Sequence, residues 1–272
     1  MAEILTVSAG KRATWQASVS MSRAFAAEAV KLTTLPSFVL SFVMVYLVLG
    51  GFGVLTAVAR IVQRDAAAPT VGAEPGAALA GVQGAQLIVV CVAAVFATSE
   101  FAQRTVQPSF LAVPTRTPVL LGKALLLGLI SFMVGAAGAA TALGGAALLS
   151  NTAGLEFEIA HGYALQLIAG TGLYLVAISL IGLAIGTLVR STVGALLTGL
   201  ALLNVAPLLL GAAPVAWLRD VAAYLPSTAG LMILQEHVPA QSLPSWVGLA
   251  IAAGWAAAVF VIALLVIRRT DA

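Results

Sequence analysis

Six runs of apolar residues, at 38–59, 82–98, 119–149, 163–189, 193–210 and 246–267, set the limits on what this chain can become. Each is near the length of about 20 residues that a helix needs to cross a hydrocarbon core. Inside lipid no water reaches the backbone, so every peptide N–H and C=O must be bonded within the protein, which a helix achieves within one segment. The expected fold is therefore an all-α membrane protein with six transmembrane helices. Composition agrees: 61% of residues are hydrophobic and 8% charged, with a mean hydropathy of +1.08, against roughly 25% charged in a soluble domain.

Lys11, Arg12, Arg23, Glu28 and Lys31 interrupt every apolar stretch before Pro36, so no signal peptide is expected and the first run reads as an uncleaved span. The single cysteine, Cys91, lies in an apolar run; it excludes an intrachain disulfide and reads as a small core residue. A pI near 9.4 invites a nucleic-acid reading. The basic residues sit beside the apolar runs rather than in one patch, however, and membrane topology accounts for them better. No nucleic-acid partner is expected.

Six spans place both termini on one side. Lys11, Arg12, Arg23, Lys31, Arg104, Arg116, Lys123, Arg190, Arg268 and Arg269 share that side, whereas Arg60, Arg64 and Arg219 fall opposite, a split of ten to three. By the positive-inside rule both termini are cytoplasmic. Asp65, Glu74, Glu156, Glu158, Asp220 and Glu236 collect on the other side.

Between the second and third runs lies a dense polar segment, Thr98-Ser-Glu-Phe-Ala-Gln-Arg-Thr-Val-Gln-Pro-Ser-Phe-Leu-Ala-Val-Pro-Thr-Arg116, followed by Leu121-Gly-Lys123. Charges and orphan backbone groups are costly in lipid, so residues 99–118 read as a loop at the membrane face that touches water or a partner protein. Phe101, Phe110 and Leu111 offer apolar knobs; Glu100, Arg104 and Arg116 offer ion pairs. Snorkelling to the headgroups explains Arg116 and Lys123 equally well, but an acid gains nothing from anionic lipid, which favours a protein partner for Glu100.

Residues 1–36 form a tail in which 18–34, with Val19, Phe25, Ala29, Val30 and Leu32 on a loose apolar face, reads as an amphipathic helix on the inner surface, ended by Pro36. Residues 63–80, with Pro69, Gly72, Pro75 and Gly76, read as an outer loop with no fold implied. Residues 211–244 are too apolar for a free loop, with Trp217, Val221, Tyr224 and Leu231, yet Pro214, Pro226 and Glu236-His237 interrupt any span. A re-entrant or interfacial helical hairpin fits, with Trp217, Tyr224 and Trp246 at the outer interface. Gly182-Leu-Ala-Ile-Gly186 in the fourth run permits close helix approach, read as internal packing ahead of a dimer seam.

Catalytic constellations are missing. The histidines are His161 and His237, and Glu156, Glu158 and His161 match no metal site of specific geometry. Lys123 follows Gly122, but Ala124 stands where a phosphate loop has Ser or Thr and Thr117 where it has its first glycine. The polar groups inside the runs are mostly Ser, Thr, Asn204 and Tyr174, without the string of buried ionisable groups that an ion-coupled carrier uses. Energy is expected to enter from outside the bilayer. Phe42, Phe132 and Tyr174 read equally as core or as pathway lining.

Glu28-Ala-Val-Lys31-Leu32 before the first span, Ser99-Glu100-Phe101 through Arg104-Thr105, Phe110-Leu111, Pro114-Thr115-Arg116 and Lys123 after the second, Gly182, Gly186, Leu188 and Arg190-Ser191 closing the fourth, Pro207 in the fifth, Leu225-Pro226-Ser227 beyond it and Arg268-Arg269 at the end together resemble the ABC-2 type permeases of bacterial exporters, in the short form common in high-GC Gram-positive bacteria. The resemblance implies an elbow helix carrying Glu28 and Lys31, six spans, and outer re-entrant helices between the last two. It also implies a cytoplasmic coupling helix where Glu100, Phe101, Arg104, Thr105, Phe110, Leu111, Pro114 and Arg116 meet the ATPase. It further implies two ATP-binding cassette subunits per complex, which hold the ATP and Mg, and a second permease, either a copy of this chain or a relative. This chain would then be a non-catalytic, cofactor-free subunit in the bacterial cell membrane, exporting an amphiphile such as a peptide antibiotic, a drug or a lipid. An ion-coupled secondary carrier without an ATPase and a scaffold or sensor without transport are the competing expectations.

Overall fold

Pro36, with its fixed φ and missing N–H, opens α1 (Pro36–Gln63), the first of six helices long and apolar enough to cross a membrane. The computed structural model describes residues 29–30, 35–63, 75–102, 117–155, 157, 159–235 and 244–270, and among these there is no strand. The chain continues through α2 (Val82–Ala102), α3 (Thr117–Thr152), α4 (His161–Val189), α5 (Thr192–Leu200), α6 (Ala206–Gly211), α7 (Ala216–Ala223), α8 (Pro226–Leu231) and α9 (Ser245–Thr270). Candidate spans run over Pro36–Gln63, Pro75–Ser99, Val119–Thr152, His161–Val189, Thr192–Gly211 and Ser245–Arg269. Each coincides with one of the six runs expected from sequence. Of the amphipathic tail helix, Ala29 and Val30 are helical and the remainder lies outside the described residues.

α4 is the hub. In its most apolar stretch 72% is buried, against 17% for the fifth span and 22% for α9, so α5, α6 and α9 flank a centre built on α4. Leu167, Tyr174, Leu175 and Ile178 of α4 join Val45 and Leu49 of α1 and Val82, Ala85 and Val89 of α2 in the main core. Small residues make this approach possible. A Cβ on Gly182 would come within 2.8 Å of the Ala93 Cβ and 2.9 Å of the Val90 carbonyl; on Gly186 it would meet the Ala97 Cβ at 2.6 Å and the Ala94 carbonyl at 2.9 Å. The two glycines therefore seat α4 on α2 within one chain, in accord with the internal-packing reading.

Gly186→Leu must push α2 backbone away rather than rotate a side chain, and overpacking of this kind costs about 1–3 kcal/mol. Its midpoint of thermal unfolding in detergent should fall clearly. Gly254→Leu, where nothing lies within 4 Å of the added Cβ, should unfold like the parent. Equal midpoints for the two variants would remove the α2–α4 seam as a tight contact.

Two regions depart from the sequence expectations. Within residues 63–80, where no fold was implied, Pro75–Leu79 forms a 3-10 helix that buries Pro75, Ala78 and Leu79. Gly76 lies so close to the Leu234 carbonyl that no side chain fits between them. The partner segment is remote in sequence, which is why local turn residues did not announce it. The fifth span is also not a simple helix: α5 passes into a π-helical turn over Ala201–Val205 before α6, and the Ala206 N–H bonds to the Ala201 carbonyl. Pro207 offers no N–H to the preceding turn and its ring crowds the carbonyl four residues back, so the helix widens instead of continuing.

After α6 the chain forms α7, α8 and a 3-10 turn over Met232–Leu234. α8 is largely buried, through Pro226, Ser227, Ala229 and Gly230. Ile233 beyond it is fully buried. The Tyr163 hydroxyl donates to the Leu234 carbonyl at 2.9 Å and the Trp255 indole N–H donates to the Tyr224 carbonyl at 3.0 Å. α7 lies outside, leaving Trp217 63% and Tyr224 53% exposed. Two short helices, α7 exposed and α8 buried against α9, thus occupy the region between the fifth and sixth spans.

Candidate functional site

A glutamine side chain buried within an apolar span must find partners inside the protein. Gln86, one turn into α2, is 2% exposed and does so on both faces of its amide. Its Oε1 accepts a short hydrogen bond from the hydroxyl of the fully buried Tyr174 on α4. Its Nε2 donates to Oδ1 of Asn204, at 3.0 Å, in the π-helical turn. Three separate spans are joined by one side chain. Asn204 Nδ2 is buried with no hydrogen-bond partner, so the network ends on an unused donor. α8 packs against it: a Cβ on Gly230 would strike the Tyr174 ring.

Sequence reasoning named Tyr174 and Asn204 among the polar groups of the spans and missed Gln86. The available signal was the amide itself, since an uncharged polar residue deep in an otherwise apolar run rarely faces lipid. The trio contains amides and a phenol, with no carboxylate, imidazole or amine to carry a proton or a cation's charge. Its chemistry is orientation. Among the described residues no group of three His, Cys, Asp or Glu side chains is placed to hold a metal ion; Glu156 and Glu158 lie outside them.

A second polar station lies at the far end of α2. Lys123 near the start of α3 is 4% exposed, with its ammonium 4.1 Å from the centre of the Phe96 ring. The Phe96 edge meets Phe38 of α1 at 5.3 Å between centroids and 80° between planes. Lys123 therefore turns inward to the junction of α1, α2 and α3 instead of snorkelling outward. Beside it the Thr98 hydroxyl bonds its own Ala94 carbonyl and the Thr192 hydroxyl, each at 2.9 Å. These contacts tie the end of α2 to the start of α5, where Ser191 caps the helix by accepting from Gly194 N–H at 3.4 Å. Arg190, in the left-handed region at φ 55°, makes the turn between α4 and α5.

The polar segment expected to begin as a loop is helical at its start, because α2 runs on through Thr98 to Ala102. Glu100 and Phe101 thus lie in the last turn of α2. Arg104, Thr105, Phe110, Leu111, Pro114 and Arg116 lie outside the described residues, as do Glu28 and Lys31. The helix that leads into this segment, α2, is held by Gln86 near one end and by the Lys123–Phe96 and Thr98–Thr192 contacts near the other. No protein-family model matches this chain, and no curated protein matches it.

Proposed function

We propose that this chain is the permease subunit of an ATP-driven exporter of the ABC-2 type, forming the membrane pathway for an amphiphilic substrate such as a peptide antibiotic, a drug or a lipid. The observation that carries the reading is the course of α2, which leads from a buried polar junction of three spans directly into the Glu100–Phe101 turn and the polar segment beyond. A permease needs such a connection, because ATP-driven closure of a separate ATPase pair moves spans only through rigid contacts. The dearth of ionisable groups in the spans supports an external energy source over ion coupling.

In this reading both termini and the coupling segment are cytoplasmic, residues 18–34 form the elbow helix, and α7–α8 is the outer re-entrant hairpin beside the exit of the pathway. Two ATP-binding cassette subunits supply ATP and Mg chemistry, and a second permease, identical or related, completes the pathway. The fifth span, 17% buried within one chain, has the surface to meet that second copy. Efflux, including antibiotic resistance, is the expected physiological output.

Affinity purification of the tagged chain from its native membrane should recover a subunit bearing a phosphate loop, and the complex should hydrolyse ATP while the permease alone does not. A purified permease free of other chains that turned over ATP would refute the assignment. Transport driven by an ion gradient in vesicles containing this chain alone would instead establish the secondary-carrier alternative.

A further inference from the structure

Away from the polar junction, α3, α4 and α9 enclose a lateral furrow in two continuous parts. One, of about 560 Å³, runs from Trp246 past Leu173, Ala250 and Ala253 to Phe260. The other, of about 470 Å³, continues past Leu121, Leu125 and Gly128, and both share Val176, Leu180 and Phe260. Every lining residue is apolar. In a bilayer such a space is filled by hydrocarbon, because an empty one would forfeit the dispersion contacts of all its walls.

The furrow's shape limits the occupant. Trp246 to Phe260 covers about 20 Å along α9 at the helical rise. Its volume of about 560 Å³ lies in a groove open along one side, and a single acyl chain lies along such a groove. The ends of the furrow differ in charge. Arg268 follows Ala257 by eleven residues, about three helical turns, so it lies on the furrow face of α9, with Arg269 beside it; both are exposed. They stand where a headgroup phosphate of that leaflet would sit, whereas the opposite end carries Trp246.

We propose that the α3–α4–α9 furrow is a binding site for one anionic phospholipid, its acyl chain lying between Leu125 and Ala257 and its phosphate against Arg268 and Arg269. The lipid serves as a resident wedge between α3 and the sparsely buried α9, lying across the face of the hub helix. It needs no particular substrate and holds whichever transport mechanism the chain uses.

The test is native mass spectrometry of the detergent-purified full chain titrated with phosphatidylglycerol and, separately, with phosphatidylcholine. The parent should bind one phosphatidylglycerol per chain with a preference over phosphatidylcholine on the order of tenfold, as two basic residues near a headgroup provide. Arg268→Gln/Arg269→Gln should bring the two lipids to parity. Gly128→Leu/Ala257→Phe, which fills the furrow where the added Gly128 Cβ meets only Val176 at 3.5 Å, should lose both. Parity in the parent, an unchanged preference in the arginine variant, or full retention in the filled variant would each overturn the proposal. A filled variant that shifts the chain between monomer and dimer with lipid unchanged would also overturn it, by assigning the furrow to a second copy. The arginine comparison stands alone should the filled variant fail to fold.

Discussion

Gln86→Leu should destabilise the folded chain by about 2–4 kcal/mol, because it strands two buried groups at once: the Tyr174 hydroxyl and Asn204 Oδ1, each costing about 1–3 kcal/mol when left without a partner. The hydrogen bonds themselves account for the smaller share, since interhelical bonds in membranes average only about 0.6 kcal/mol. Desolvation decides the size of the effect. Removing the whole network by Gln86→Leu/Tyr174→Phe/Asn204→Leu should therefore recover at least half of the lost stability, although it deletes the same two bonds as the single change does. Thermal or denaturant unfolding of the detergent-solubilised chain, with the single, double and triple variants in one cycle, measures this. A triple variant no more stable than Gln86→Leu would show that the bonds, and not the orphaned groups, carry the energy.

The same junction shows what was legible from sequence and what was not. Span positions were readable because length and apolarity are local properties: each run needed only itself and the bilayer. The Gly182–Gly186 pair was readable for the same reason, as a small face, whereas Pro36, read as the end of the tail helix, opens α1. Gln86 was not, since an amide in a run gives no sign of which distant helix will satisfy it, and its partners lie 88 and 118 residues away. The 3-10 turn at Pro75–Leu79 escaped for a like reason, its contact being with Leu234. The π-helical turn was half legible: Pro207 announces a disturbance in the fifth span, but tertiary contacts decide whether it becomes a kink, a break or a widened turn. The inward course of Lys123 depended on Phe96 lying across the helix junction, which no window of neighbouring residues contains. The candidate coupling residues were picked out by polarity and resemblance, and the structure describes the helix that leads into them.

In the proposed exporter, Phe110→Asp should abolish recovery of the ATPase subunit with this chain and, with it, export. An aspartate placed in an apolar contact surface is left desolvated and unpaired, at a cost of a few kcal/mol or more, and a loss of about 1.4 kcal/mol already weakens an association tenfold. Insertion should be unaffected, because all six spans are unchanged, so membrane yield separates a coupling defect from a biogenesis defect. Thr70→Asp adds the same charge to the segment between the first two spans and should leave both recovery and export intact. Leu111→Asp should behave as Phe110→Asp does if the two side chains form one knob. Normal ATPase recovery and export in Phe110→Asp would remove this residue from the contact, and the same outcome in Leu111→Asp would reduce the segment after α2 to a connector. The Gln86 junction would then have to be driven from elsewhere, and ion-gradient transport by the chain alone would become the experiment of choice.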